Sequence, residues 1–143
     1  MNQNDNRIRK QWLLCYAFGL LLSIFSLTLQ AGKDPTLDLF PMGRYGYVIV
    51  VLLAYVLFGY IFYRCAYKKP GTKLLMTCLV FTIPSLVLTP ILYLKGIIRA
   101  PAYIPYYGAY LLLSQGLGVW WVIASWRMRQ VNKRMRNLST PTV

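Results

Sequence analysis

The chain has 143 residues, with sixteen Lys or Arg, three acids (Asp5, Asp34 and Asp38), no Glu and no His. Without His, imidazole ligation of haem and histidine-based zinc or acid–base chemistry are excluded. A net charge of +13 points toward nucleic acid, but 57% of the residues are hydrophobic and the cations fall between uncharged runs, so no nucleic-acid partner is expected.

Four uncharged windows, Gln11 to Gly32, Tyr45 to Tyr63, Leu74 to Leu94 and Ala100 to Trp126, each reach the roughly 18 apolar residues that a membrane helix requires. They predict an all-α integral membrane bundle of four transmembrane helices, a single domain over 1–143. The spans are expected at about 11–31, 46–66, 74–94 and 103–126, followed by a basic tail over 127–143. Arg7, Arg9 and Lys10, then Arg64, Lys68, Lys69 and Lys73, then Arg127, Arg129, Lys133, Arg134 and Arg136 place twelve cations on one side. Only Lys33, Arg44, Lys95 and Arg99 fall on the other. Cytoplasmic segments retain Lys and Arg, so both termini and the central hairpin are expected in the cytoplasm.

In chain order, the polar first residues are expected to be disordered until Arg7. Trp12 then reads as an interfacial ring. The run from Trp12 to Leu29 exceeds a signal-peptide core, and Leu-Gln-Ala lacks the small residue needed for cleavage, which predicts a retained first helix. Within it Gly19, Ser23, Ser26 and Gln30 recur at i, i+4, i+7 and i+11 and share a face. The loop from Ala31 to Gly46 is rich in Gly and Pro and predicts turns.

The second span ends in Tyr60, Tyr63 and Tyr67, which with Arg64 read as an aromatic belt. Pro70-Gly71 breaks the central hairpin. In the third span Pro84 and Pro90 predict kinks, and Cys78, Thr82, Ser85 and Thr89 repeat the spacing of the first stripe. Tyr103, Tyr106, Tyr107 and Tyr110 read as an outer belt, with Pro105 in the first turn of the fourth helix. There Ser114, Gly118, Trp121 and Ser125 form a third stripe, and the helix is expected to continue into Arg127 to Arg136. Cys15, Cys65 and Cys78 lack a Cys-x-x-Cys spacing and predict no disulfide.

The spans hold no ionisable acid or base, whereas proton-coupled exporters place one in the membrane. The serines have no evident base, and paired reactive cysteines are missing, so neither an enzyme nor a cofactor is predicted. Gly19 with Ser23, Cys78 with Thr82, and Ser114 with Gly118 are small-x-x-x-small pairs. Such faces let helices approach and exchange hydrogen bonds of about 0.6–2 kcal/mol. Packing would set Thr82, Ser85 and Ser114 against neighbouring helices; alternatively the stripes line a pore. The cations of the hairpin and tail also suit anionic lipid, at about 1 kcal/mol each. The expected function is therefore contact: an accessory, immunity-type or envelope component whose partners are membrane lipids, another membrane protein or a second copy. The alternative is a small oligomeric channel or transporter for an uncharged solute.

Three segments carry a resemblance. Trp12-Leu13-Leu14 continuing through Phe18-Gly19-Leu20-Leu21-Leu22-Ser23, the basic turn Tyr67 to Lys73, and the aromatic-to-basic exit Trp126 to Arg136 are similar to the YdgK-like proteins, small four-span proteins of the bacterial inner membrane. Lys10-Gln11 departs from the glycines expected there. The resemblance implies an inner-membrane four-helix fold and brings no activity or site residues.

Overall fold

The computed structural model describes residues 2–68 and 72–139. Lys69, the Pro70-Gly71 break and the last residues of the tail, 140–143, lie outside the described residues. The described chain is helical: α1 (Gln3–Lys33), a 3-10 turn (Pro35–Leu39), α2 (Gly43–Tyr67), α3 (Thr72–Leu94) and α4 (Tyr107–Ser139). Each of the four α-helices is long and apolar enough to cross a membrane, and at most 17% of the apolar window of any of them is buried. Large side chains such as Leu21, Leu53, Val56, Phe81 and Leu112 point outward. An apolar surface this extensive fits a multi-pass membrane protein and not a water-exposed bundle.

The centres of the helices match the expected spans, but several ends do not. Helix α1 begins at Gln3, well before Arg7; Asp5 in its first turn complements the positive end of the helix dipole. Helix α4 begins at Tyr107, because Tyr106 holds a left-handed φ of 52° and the Ile104 amide closes a turn on the Pro101 carbonyl. Pro105 therefore precedes the helix and is not in its first turn. At about 1.5 Å per residue, the 33 residues of α4 span about 50 Å, well beyond a hydrocarbon core of about 30 Å. The excess carries Arg127 to Arg136. Pro84 and Pro90 both lie inside the unbroken α3.

The loop after α1 is shorter and more regular than its Gly and Pro content predicts. Asp34 accepts from the Thr36 amide at 2.9 Å and from its hydroxyl at 2.6 Å, and Pro35 occupies the first position of the 3-10 turn. Arg44 clamps Asp38 through two nitrogens, at 2.8 and 3.2 Å, and donates to the Ala31 carbonyl at the end of α1 at 3.0 Å. These donors hold the Asp34 and Asp38 carboxyls below the usual range, Thr36 acting on the first and Arg44 on the second. Met42 and Gly43 are both left-handed, and Gly46 packs so closely beneath Pro41 and Met42 that no Cβ fits there.

Helix α4 lies between α1 and α3, and α2 packs on α1. All four helices converge at the end that carries the termini. There Trp12, Phe62, Cys65, Ala66, Leu75, Ala124 and Met128 form a single buried cluster. Trp12 is its centre and is fully buried, which corrects its assignment as an interfacial ring. The indole stacks on Trp121 at 5.3 Å, meets Phe62 edge-on at 5.4 Å and donates to the Ser125 hydroxyl at 3.0 Å. A satisfied N–H allows a ring of this size to leave the interface for the core.

Candidate ligand cleft

Above the Trp12 cluster, toward the loop end, the helices part and leave a cleft between α1, α2 and α4. It holds about 300 Å³ beside Gly19, Ser23, Tyr55, Ser114, Gly118 and Trp121. A further space of about 230 Å³ shares Ser23, Tyr55 and Tyr110 with it and reaches Ser26, Gln30 and Tyr47. Helix periodicity accounts for the lining. The α1 stripe of Gly19, Ser23, Ser26 and Gln30 faces Tyr47, Val51 and Tyr55 of α2, spaced i, i+4 and i+8. From α4, Tyr110, Ser114 and Gly118 follow the same spacing.

The walls are uncharged and largely apolar beside Gly19, with hydroxyl and amide groups gathered toward Gln30 and Tyr47. Tyr16 donates to the Tyr55 carbonyl at 2.6 Å, and Tyr47 donates to Gln30 Oε1 at 3.1 Å, while the Gln30 amide reaches Asp34 at 3.3 Å. Among the described residues the Ser23, Ser26 and Ser114 hydroxyls have no hydrogen-bond partner. Tyr16 and Trp121, 6.4 Å apart, floor the cleft over the Trp12 cluster. A Cβ on Gly19 would meet nothing within 4 Å, so this glycine borders open space. The close approaches lie elsewhere. Gly118 abuts Leu86 of α3, and Gly59, a residue the stripes do not include, admits the Tyr16 ring.

The α3 stripe takes no part in the cleft. Cys78, Thr82 and Thr89 are half-buried, the Thr82 hydroxyl donating to the Cys78 carbonyl at 2.6 Å, and Ser85 is exposed on the outside of the bundle. Ser125 is fully buried against Trp12. Tyr110, expected in an outer belt, stands half-buried in the cleft wall. The regular spacing of Tyr47, Val51 and Tyr55 was the signal for the α2 wall, hidden within a run that is apolar on every face.

Of the candidate lipid-facing and topogenic cations, Lys68, Lys73, Arg127, Lys133, Arg134 and Arg136 are exposed. Arg64 lies over Tyr60 at 5.8 Å and Arg129 over Trp126 at 5.3 Å. Arg9 is different: it is buried, lies 5.8 Å over the Tyr67 ring and donates to the Met135 sulfur. Asn132 of α4 is also buried, with its amide nitrogen 3.9 Å from Cys65 Sγ. Comparison of the chain with protein-family models, curated proteins and solved structures finds no match to any of them.

Proposed function

We propose that this chain is a non-enzymatic multi-pass protein of a bacterial inner membrane, with both termini cytoplasmic, that acts by binding a small uncharged molecule within the bilayer. The twelve-to-four division of cations supports the orientation. The cleft carries the binding. Three hydroxyls without partners among the described residues face it from apolar helices, where an unsatisfied polar group is costly. A guest that exchanges hydrogen bonds with Ser23, Ser26 and Ser114 and lies against tyrosine rings relieves that cost. A space of about 300 Å³ is at the small end of ligand pockets and too narrow for a partner's helix, about 10–12 Å across. Such binding suits an accessory, immunity-type or envelope component. YdgK-like membership belongs to this proposal and adds only the fold.

The test uses Gly19, where a larger side chain would fill the cleft without meeting a neighbour at Cβ. The protein purified in mild detergent should carry an uncharged small molecule, found by mass spectrometry, that Gly19→Phe loses. Gly116→Phe, on the exposed side of α4, should keep it. Equal occupancy in all three proteins would refute the assignment. One observation favours the channel or transporter reading: toward the loop end the cleft continues into a space lined by the Ser26, Gln30 and Tyr47 polar groups, while the Trp12 cluster closes the other end. Glycerol flux into liposomes above that of empty vesicles, abolished by Gly19→Phe, would establish it.

A further inference from the structure

A second depression lies on the outer face of the bundle, between α3 and α4. Leu79, Val80 and Ile83 of α3 and Val122, Ile123 and Trp126 of α4 wall an open groove of about 610 Å³. Among the described residues its only charged lining residue is Arg127, at the end nearer the termini. On α3, Lys73, Met76, Val80 and Ile83 follow i, i+3, i+7 and i+10, which brings Lys73 onto the groove's face at that same end. No acid is present on α3 or α4 to neutralise the pair.

An apolar trough that ends at two cations has the two-part chemistry of a bilayer lipid. We propose that the groove is a binding site for an anionic phospholipid, one acyl chain lying between α3 and α4 and the phosphate meeting Arg127 and Lys73. The site rests on the four helices being membrane spans and is independent of any guest in the cleft. It differs from diffuse attraction to the basic end of α4, because Lys133 and Arg134 lie one to two turns beyond the groove. Surface attraction alone would make every one of these cations count alike.

The experiment is native mass spectrometry of the full chain in micelles holding equal dioleoyl-phosphatidylglycerol and dioleoyl-phosphatidylcholine. The protein is expected to retain the anionic lipid over the zwitterionic one by about thirtyfold, about fivefold from each of the two cations. The double variant Lys73→Gln, Arg127→Gln should bring retention to parity. The double variant Lys133→Gln, Arg134→Gln should leave it unchanged. Both altered pairs are exposed, so the fold is spared; the single Arg127→Gln, expected to lower the preference part-way, decides the matter if the first double variant does not fold. Ile83→Trp, which fills the groove, should reduce retention of both lipids. No preference in the natural protein, a preference left undiminished by Arg127→Gln, or one that disappears with Lys133 and Arg134 would overturn the site.

Discussion

Ser125 and Ser85 illustrate how little a residue type reveals without its surroundings. Both are serines on stripes of the same period, yet one is sealed against the Trp12 indole and the other faces outward. Ser125→Ala leaves a buried indole N–H without its acceptor and should destabilise the bundle by about 1–3 kcal/mol. Ser85→Ala should change stability by less than about 0.5 kcal/mol, as surface substitutions do. Thermal unfolding in detergent, followed by circular dichroism, checks both; equal losses would mean that the Trp12–Ser125 bond contributes nothing. The sequence could not separate these serines, because the partner of Trp12 is 113 positions away. A tryptophan just after Arg9 and Lys10 has the local surroundings of an interfacial ring, and only the tertiary hydrogen bond moves it inside. Arg9 is concealed in the same way: it has the sequence context of a topogenic cation but lies over Tyr67 at the closed end.

At the level of elements, the helix centres were legible from the uncharged windows, because a long apolar run leaves the backbone few ways to satisfy its polar groups in lipid. The ends were less so, since they depend on a few local torsions such as that of Tyr106 and on caps such as Asp34. The loop after α1 is held by Arg44, and its stability should follow pH. The Asp38 carboxyl is lowered in the folded chain, so the clamp is present above the usual carboxylate pKa of about 3.9 and is lost as pH falls through the lower folded value. The protection of amides 35–46 from exchange, relative to their intrinsic rates, should therefore fall below about pH 4 in the natural chain. Arg44→Gln should show low protection at every pH, and an Arg44→Gln profile that retains the acid-dependent step would assign the step to another group. Gly46→Ala should loosen the same loop, because its Cβ would collide with the Pro41 carbonyl.

For the whole molecule, periodicity gave the faces of the helices but not the directions in which they turn. The stripes of α1 and α4 meet across a cleft, whereas the α3 stripe rotates away and leaves Ser85 outside. Nothing in a spacing of i, i+4, i+7 and i+11 distinguishes those cases, because rotation is set by packing such as Leu86 against Gly118. The proposed orientation is tested by reporters: alkaline phosphatase, active only when exported, should be active when inserted near Asp38 and inactive when fused after Arg136, and the reverse pattern would invert the threading. Binding within the bilayer requires an open, hydrogen-bonding cleft above a closed Trp12 cluster. With Cys15, Cys65 and Cys78 replaced by Ala, single cysteines at Ser23, Ser114 and Ser125 can be compared for their rate of reaction with a small uncharged thiol reagent in membranes. Ser23→Cys and Ser114→Cys should react at least about tenfold faster than Ser125→Cys, since access controls the rate. A cleft cysteine as slow as the one at position 125 would contradict the account.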